Sequence, residues 1–110
     1  KEDIKILENK WPGPTTFLLE RSSDKYKYLS HLGRHAVRVS AHKPLIKLLD
    51  FFGSEIVSTS ANISGENEIK NKDDIVNFFN YEDVALFDNS LGNLKKPTKI
   101  FDLKLKKYIR

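Results

Sequence analysis

Apolar side chains at Ile4, Leu7 and Trp11 recur at helical spacing among charged neighbours, which predicts a short helix that Pro12-Gly13-Pro14 must end. Thr15 to Leu19 reads as a strand, and Arg21-Ser22-Ser23-Asp24 as a turn. From His35 to Ser40 the chain alternates and is β-branched, predicting a second strand with Val37 and Val39 on one face and Arg38 on the other. Pro44 suits the first helical position, and Leu45, Ile46, Leu48, Leu49 and Phe52 give that helix a broad apolar face closed by Gly53. Ile56 and Val57 start a predicted third strand. A polar stretch follows Gly65 through Asn71, then a helix over Asp73 to Phe79 with Ile75, Val76, Phe78 and Phe79 facing inward. Val84 to Phe87 reads as a fourth strand, and Thr98 to Leu103 with Lys106 to Ile109 as a terminal hairpin. Strands alternating with helices and ending in a hairpin imply an α/β fold, a mixed, twisted sheet flanked by helices.

Composition narrows this picture. With 110 residues, 39% apolar and 11% aromatic, the chain suits one folded domain rather than a disordered segment. The absence of cysteine excludes a disulfide framework, a thiolate metal site and a cysteine nucleophile. No apolar run approaches the roughly 20 residues of a bilayer span, and no basic-then-apolar leader opens the chain, so a cytoplasmic protein without membrane contact is expected. The chain starts at Lys1 and contains no Met, so either an initiator has been removed or these residues come from a longer protein. A net charge of +4 suits anionic ligands or RNA, and ordinary solubility accounts for it equally well. His31, His35 and His42 have no carboxylate at ligand spacing, and no metal site is expected from them.

Candidate chemistry gathers in a few segments. In Ile56-Val57-Ser58-Thr59-Ser60-Ala61-Asn62-Ile63-Ser64-Gly65 an apolar run enters a cluster of short hydroxyl and amide side chains. Such residues offer donors at little entropic cost, and Gly65 permits the positive φ at which amides converge on a phosphate. They serve equally well as a helix cap and loop. Arg38, set between two valines, carries a fork that matches a carboxylate or phosphate. Its alternatives are a place on the wet face of the sheet or a pairing with an internal acid such as Asp50 or Asp102. Trp11-Pro12-Gly13-Pro14 chiefly fixes a rigid corner with Trp11 packed on the core. Lys95, Lys96, Lys99, Lys104, Lys106, Lys107 and Arg110, interrupted only by Asp102, make the tail strongly positive, either as a phosphate-binding patch or as a solvated hairpin face.

Taken in order, Trp11-Pro12-Gly13-Pro14-Thr15-Thr16, Ala36-Val37-Arg38-Val39, Val57 to Gly65, and Pro97-Thr98-Lys99-Ile100-Phe101-Asp102 leading to Tyr108-Ile109-Arg110 resemble the YrdC-like family. These are the threonylcarbamoyl-AMP synthases that begin threonylcarbamoyladenosine synthesis in tRNA. The resemblance implies a YrdC-like fold in which residues 1–110 are the C-terminal portion of a single domain, lacking its N-terminal part. It implies ATP as substrate with Mg2+, together with L-threonine and bicarbonate. By the same resemblance Arg38 and Thr98 hold threonine, while Ser58, Ser60, Asn62 and Arg110 contact ATP. Thr16 and Arg34 are further candidates, and no catalytic base is assigned. Implied partners are tRNA or double-stranded RNA and the downstream tRNA threonylcarbamoyl-transfer proteins. Lys43 separates His42 from Pro44 where the family usually writes His-Pro, so no contact is assigned to His42.

The family's N-terminal part carries a threonine-containing strand and a Lys-x-Arg element that have no match here. At about 2 to 4 kcal/mol for each lost charged contact, these 110 residues alone are expected to be inactive or nearly so. The alternative function is a noncatalytic RNA-binding or interaction remnant of the same fold. A third reading is association through a sheet edge left open where N-terminal strands would pair.

Overall fold

Four short strands form one open, mixed sheet in the computed structural model, which describes residues 1–20, 23–80, 82 and 84–110. They are β1 (Thr15–Glu20), β2 (Arg34–Val37), β3 (Lys99–Asp102) and β4 (Lys107–Tyr108), in the spatial order β2-β1-β3-β4. β1 runs antiparallel to β2, with Phe17 opposite Val37, and parallel to β3, with Phe17 opposite Phe101. β3 and β4 make the expected terminal hairpin. With helices α1 (Glu2–Glu8), α2 (Lys43–Phe52) and α3 (Lys72–Phe78), the architecture is the α/β class expected from the pattern. The contacts divide the chain into two compact units. Residues 1–48 with 92–110 contain the whole sheet, and residues 49–91 contain α3.

The core of the first unit is aromatic. Strand alternation sends Thr15 and Phe17 to one face of β1, where Phe17 is 1% exposed. Trp11 meets the Phe17 ring edge-on at 5.1 Å, Phe101 meets it at 5.6 Å, and Tyr108 extends the chain of rings from Phe101 at 5.0 Å. The Trp11 Nε1 donates to the Thr15 carbonyl at 2.8 Å, satisfying the indole while the ring packs. Gly13 closes the corner as expected. A Cβ there would sit 2.5 Å from the Lys10 carbonyl oxygen, so no side chain fits.

Several elements differ from the sequence expectation. β2 stops at Val37 rather than Ser40, leaving Arg38 beyond the strand. Pro14 has no N–H to continue the ladder, and the next bond runs out of register from the Gly13 N–H to the Val39 carbonyl at 2.8 Å. Neither Ile56–Val57 nor Val84–Phe87 is a strand. The second unit has no strand among its described residues, and β-prone side chains without a partner backbone do not make one. α2 starts at Lys43, one residue before Pro44, and ends as expected at Gly53, φ +79°. α3 starts at Lys72 rather than Asp73, because Asn71 caps it by accepting the Asp74 N–H at 2.8 Å. Of its four expected inward residues, Ile75 and Phe79 are half-buried, whereas Val76 and Phe78 are exposed. Arg21 and Ser22 of the expected turn lie outside the described residues.

Replacing the central ring tests this core. Phe17→Ala should cost about 3–5 kcal/mol of stability, read from urea unfolding. A loss below about 1 kcal/mol would show that the ring is not the packing centre.

Candidate functional site

The face of the sheet opposite Phe17 carries the polar groups. Alternation along β1 puts Thr16, Leu18 and Glu20 there, and the register adds Ile100 and Asp102 from β3 with Arg34 and Ala36 from β2. Near the start of β1 three residues far apart in sequence meet. The Thr16 and Thr98 hydroxyls hydrogen-bond at 3.1 Å, and the Arg110 Nε and Nη2 donate to the Thr98 carbonyl at 3.1 and 3.0 Å. A bulge brings Arg110 to this point. The Ile100 carbonyl accepts from the Ile109 N–H at 2.9 Å, while the Ile100 N–H donates to the Arg110 carbonyl at 2.9 Å, so two residues oppose one. Two hydroxyls that can each donate or accept, beside a guanidinium with further donors at Nη1, can recognise a hydroxylated anion.

Asp102 anchors the opposite end of the same face, and sequence reasoning did not assign it this part. It is 1% exposed. Its Oδ1 accepts the backbone N–H groups of Lys104 and Leu105, each at 3.0 Å, and its Oδ2 accepts from Arg34 Nη1 in an ion pair that passes over β1. The Leu105 N–H foremost, then Arg34 and the Lys104 N–H, hold the carboxyl below the usual aspartate range against burial, which pushes it up. The signal was present as the alternation of Thr98, Ile100 and Asp102 just before a turn, the position at which aspartate binds amides ahead of it. The Arg34 guanidinium is therefore engaged by Asp102. A depression of about 390 Å³ beside this pair is lined by Glu20, Leu32, Gly33, Arg34, Lys104 and Leu105. Its charges compensate one another, since Lys104 also pairs with Glu20 at 3.1 Å.

The remaining candidates belong to other segments of the chain. Arg38 is exposed and makes no ion pair among the described residues, so neither Asp50 nor Asp102 is its partner. Ser58, Ser60 and Asn62 belong to the second unit. Ser58 and Ser60 stand on irregular exposed chain, so the strand alternation expected of them is absent. Asn62 closes its own loop, its Nδ2 donating to the carbonyls of Ile63 at 2.9 Å and Glu66 at 3.3 Å. Gly65 has φ +84° there, the left-handed conformation its position called for. On the basic hairpin, Lys106 pairs with Asp3 of α1 and Lys104 with Glu20, while Lys99 sits 5.5 Å from the centre of the Tyr108 ring. No helix among the described residues is long and apolar enough to cross a membrane.

Comparison with known proteins places these residues in a wider setting. The Sua5/YciO/YrdC family model, described as telomere recombination, matches residues 1–110. A threonylcarbamoyl-AMP synthase of Buchnera aphidicola subsp. Acyrthosiphon pisum is 41% identical over 114 residues, covering 96% of this chain and 65% of that protein. Proteins of the same name from the Schizaphis graminum and Baizongia pistaciae subspecies are 39% and 36% identical, covering 91% and 90% of this chain and 53% of each relative. The chain thus spans between about half and two thirds of the length of these curated relatives.

Asp102 makes a pH-dependent contribution whose sign is set by its partners. Its folded pKa lies below the unfolded value near 4, so the stability it adds is full above that value and is lost as pH falls through the folded one. Asp102→Asn should lower the melting temperature at pH 7 by roughly 5–10 °C, with the gap to the parent chain closing in more acid solution. A gap that stays constant from neutral to strongly acid pH in thermal unfolding would contradict this.

Proposed function

The chain belongs to the Sua5/YciO/YrdC family, and from that premise we propose that it carries part of the site of an L-threonylcarbamoyladenylate synthase. The proposed reaction converts L-threonine, bicarbonate and ATP to threonylcarbamoyl-AMP, pyrophosphate and water, supplying the first intermediate for threonylcarbamoyladenosine in tRNA. Supporting this reading is the convergence of Thr16, Thr98 and Arg110, three positions of separate motifs, on one point of the sheet.

The chemistry asks mainly for positioning. Threonine's amine takes up carbon dioxide released from bicarbonate to give a carbamate. A carbamate oxygen then attacks the α-phosphorus of ATP, and the bond to pyrophosphate breaks. Holding the three reactants together removes much of the entropic barrier, and fixed donors stabilise charge at the transferring centre. In this reading Arg38, exposed and without an ion-pair partner among the described residues, clamps the threonine carboxylate, and Thr98 contacts the same substrate. Ser58, Ser60 and Asn62 contact the phosphates and the mixed anhydride, and Arg110 the nucleotide. The Asn62 amide already braces its own loop, which leaves its Oδ1 and the loop backbone for that task. Thr16 orients Thr98 through the hydroxyl contact. Magnesium arrives with the ATP phosphates and offsets their charge, and no side chain of this chain is assigned to it.

We read residues 1–110 as the C-terminal portion of a single YrdC-like domain, acting in the cytoplasm and passing its product to tRNA threonylcarbamoyl-transfer proteins. Groups in the part of the relatives that this chain does not span would complete the grip on ATP, so the isolated 110 residues bind substrate without sustained turnover. The RNA-binding alternative draws on the basic hairpin, but Lys104 and Lys106 are already paired with Glu20 and Asp3, which reduces the charge available to a phosphate backbone.

Calorimetric titration with Mg-ATP, with and without L-threonine and bicarbonate, tests the reading. Threonine-dependent binding should weaken roughly 10- to 100-fold in Arg38→Ala, as expected for a charge-assisted contact of about 1.5–3 kcal/mol. Equal binding by the variant would remove Arg38 from the site, and no binding by the folded parent chain would move the function elsewhere.

A further inference from the structure

The Asp102 carboxylate divides its work between two oxygens. Oδ2 meets Arg34 of β2, whereas Oδ1 holds the Lys104 and Leu105 amides inside the turn joining β3 to β4. With Phe17 it is one of two side chains that are fully buried among the described residues. That turn is not one the chain adopts by default. Lys106 sits at φ +54°, a left-handed conformation unfavourable for a residue with a Cβ. From the turn the hairpin pairs Asp102 with Lys107 and Phe101 with Tyr108, and then reaches the bulge at which Ile100 faces both Ile109 and Arg110. Only two residue pairs therefore separate the Asp102 clamp from the point where Arg110 is laid on Thr98. A slip of one residue would carry Arg110 along by about 3.3 Å and turn its side chain to the other face.

We propose that Asp102 is a positioning residue: by closing the β3–β4 turn it sets the hairpin register that places the Arg110 guanidinium against the Thr98 carbonyl. The inference deepens the site reading given above and rests on it for its functional meaning. The turn-holding oxygen carries the effect, and the ion pair with Arg34 adds stability without setting the register.

The Arg110 side chain reports the outcome directly. In the parent chain the Arg110 Nε–H is bonded to Thr98 and should give a protected proton–nitrogen NMR signal. In Asp102→Ala that signal should shift to the position of a solvated arginine, with hydrogen exchange at least about tenfold faster. In Asp102→Asn and Arg34→Gln, both of which keep an oxygen on the turn amides, it should stay where it is while both variants melt earlier. A purely stabilising Asp102 would instead disturb the signal in all three variants in proportion to their loss of stability. A folded Asp102→Ala chain with the parent Arg110 signal would overturn the proposal. So would an Arg34→Gln chain whose Arg110 signal moves, and this outcome decides the matter if Asp102→Ala does not fold. Mg-ATP titration of the same samples separates the two levels of the claim. Arg110 responding as expected in a protein that binds no Mg-ATP would leave the positioning standing and remove the site reading.

Discussion

A carboxylate buried beneath a small sheet is the constraint from which much of this architecture follows. Removing a charge from water is costly unless hydrogen bonds and an opposite charge replace the lost hydration, and Asp102 is supplied with both. Two backbone N–H groups from the following turn and a guanidinium from the far side of β1 converge on it, so one side chain connects β2, β3 and the turn that leads to β4. The arrangement is specific as well as stabilising. An apolar residue at the same place could fill the space, yet it would leave the turn amides and Arg34 without these partners.

The two faces of the sheet divide the labour that this anchor makes possible. One face is a run of edge-to-face rings from Trp11 through Phe17 and Phe101 to Tyr108, with Phe17 at its buried centre. The other face is polar, with the Asp102–Arg34 pair at one end and the Thr16–Thr98–Arg110 cluster at the other. Polar groups on strands backed by packed aromatics are held in fixed positions, as the proposed function would require of them. The parallel pairing of β1 with β3 brings Thr16 beside Thr98, residues that are remote in the chain.

Local patterns were legible in the sequence where they were self-sufficient. The corner at Pro12-Gly13-Pro14, the strand at Thr15, the helix ended by Gly53 and the terminal hairpin each rest on short-range chemistry, and each was readable. Ile56–Val57 and Val84–Phe87 carry strand-like side chains but not the partner backbone that would make them strands, and no local pattern reveals whether a partner is present. Arg38, for which the sequence left open a ligand, a wet face or an acidic partner, stands exposed, while Arg34, named only through the resemblance, meets Asp102 across an intervening strand. The part played by Asp102 escaped notice because its ligands are backbone amides, which every sequence contains and none advertises. Family resemblance named candidate residues, but the bulge that brings Arg110 to Thr98 became visible only in the backbone hydrogen bonds.

The most direct measurement is residue-resolved amide chemical-shift mapping of the folded chain as Mg-ATP, and then L-threonine with bicarbonate, are added. Changes at Ser58, Ser60, Asn62 and Arg110 with nucleotide, extending to Arg38 and Thr98 with threonine, are the expected result. Changes confined to the lysines of the hairpin, or falling on the aromatic face around Phe17 while the polar face stays silent, would contradict the assignment of this surface as the substrate site.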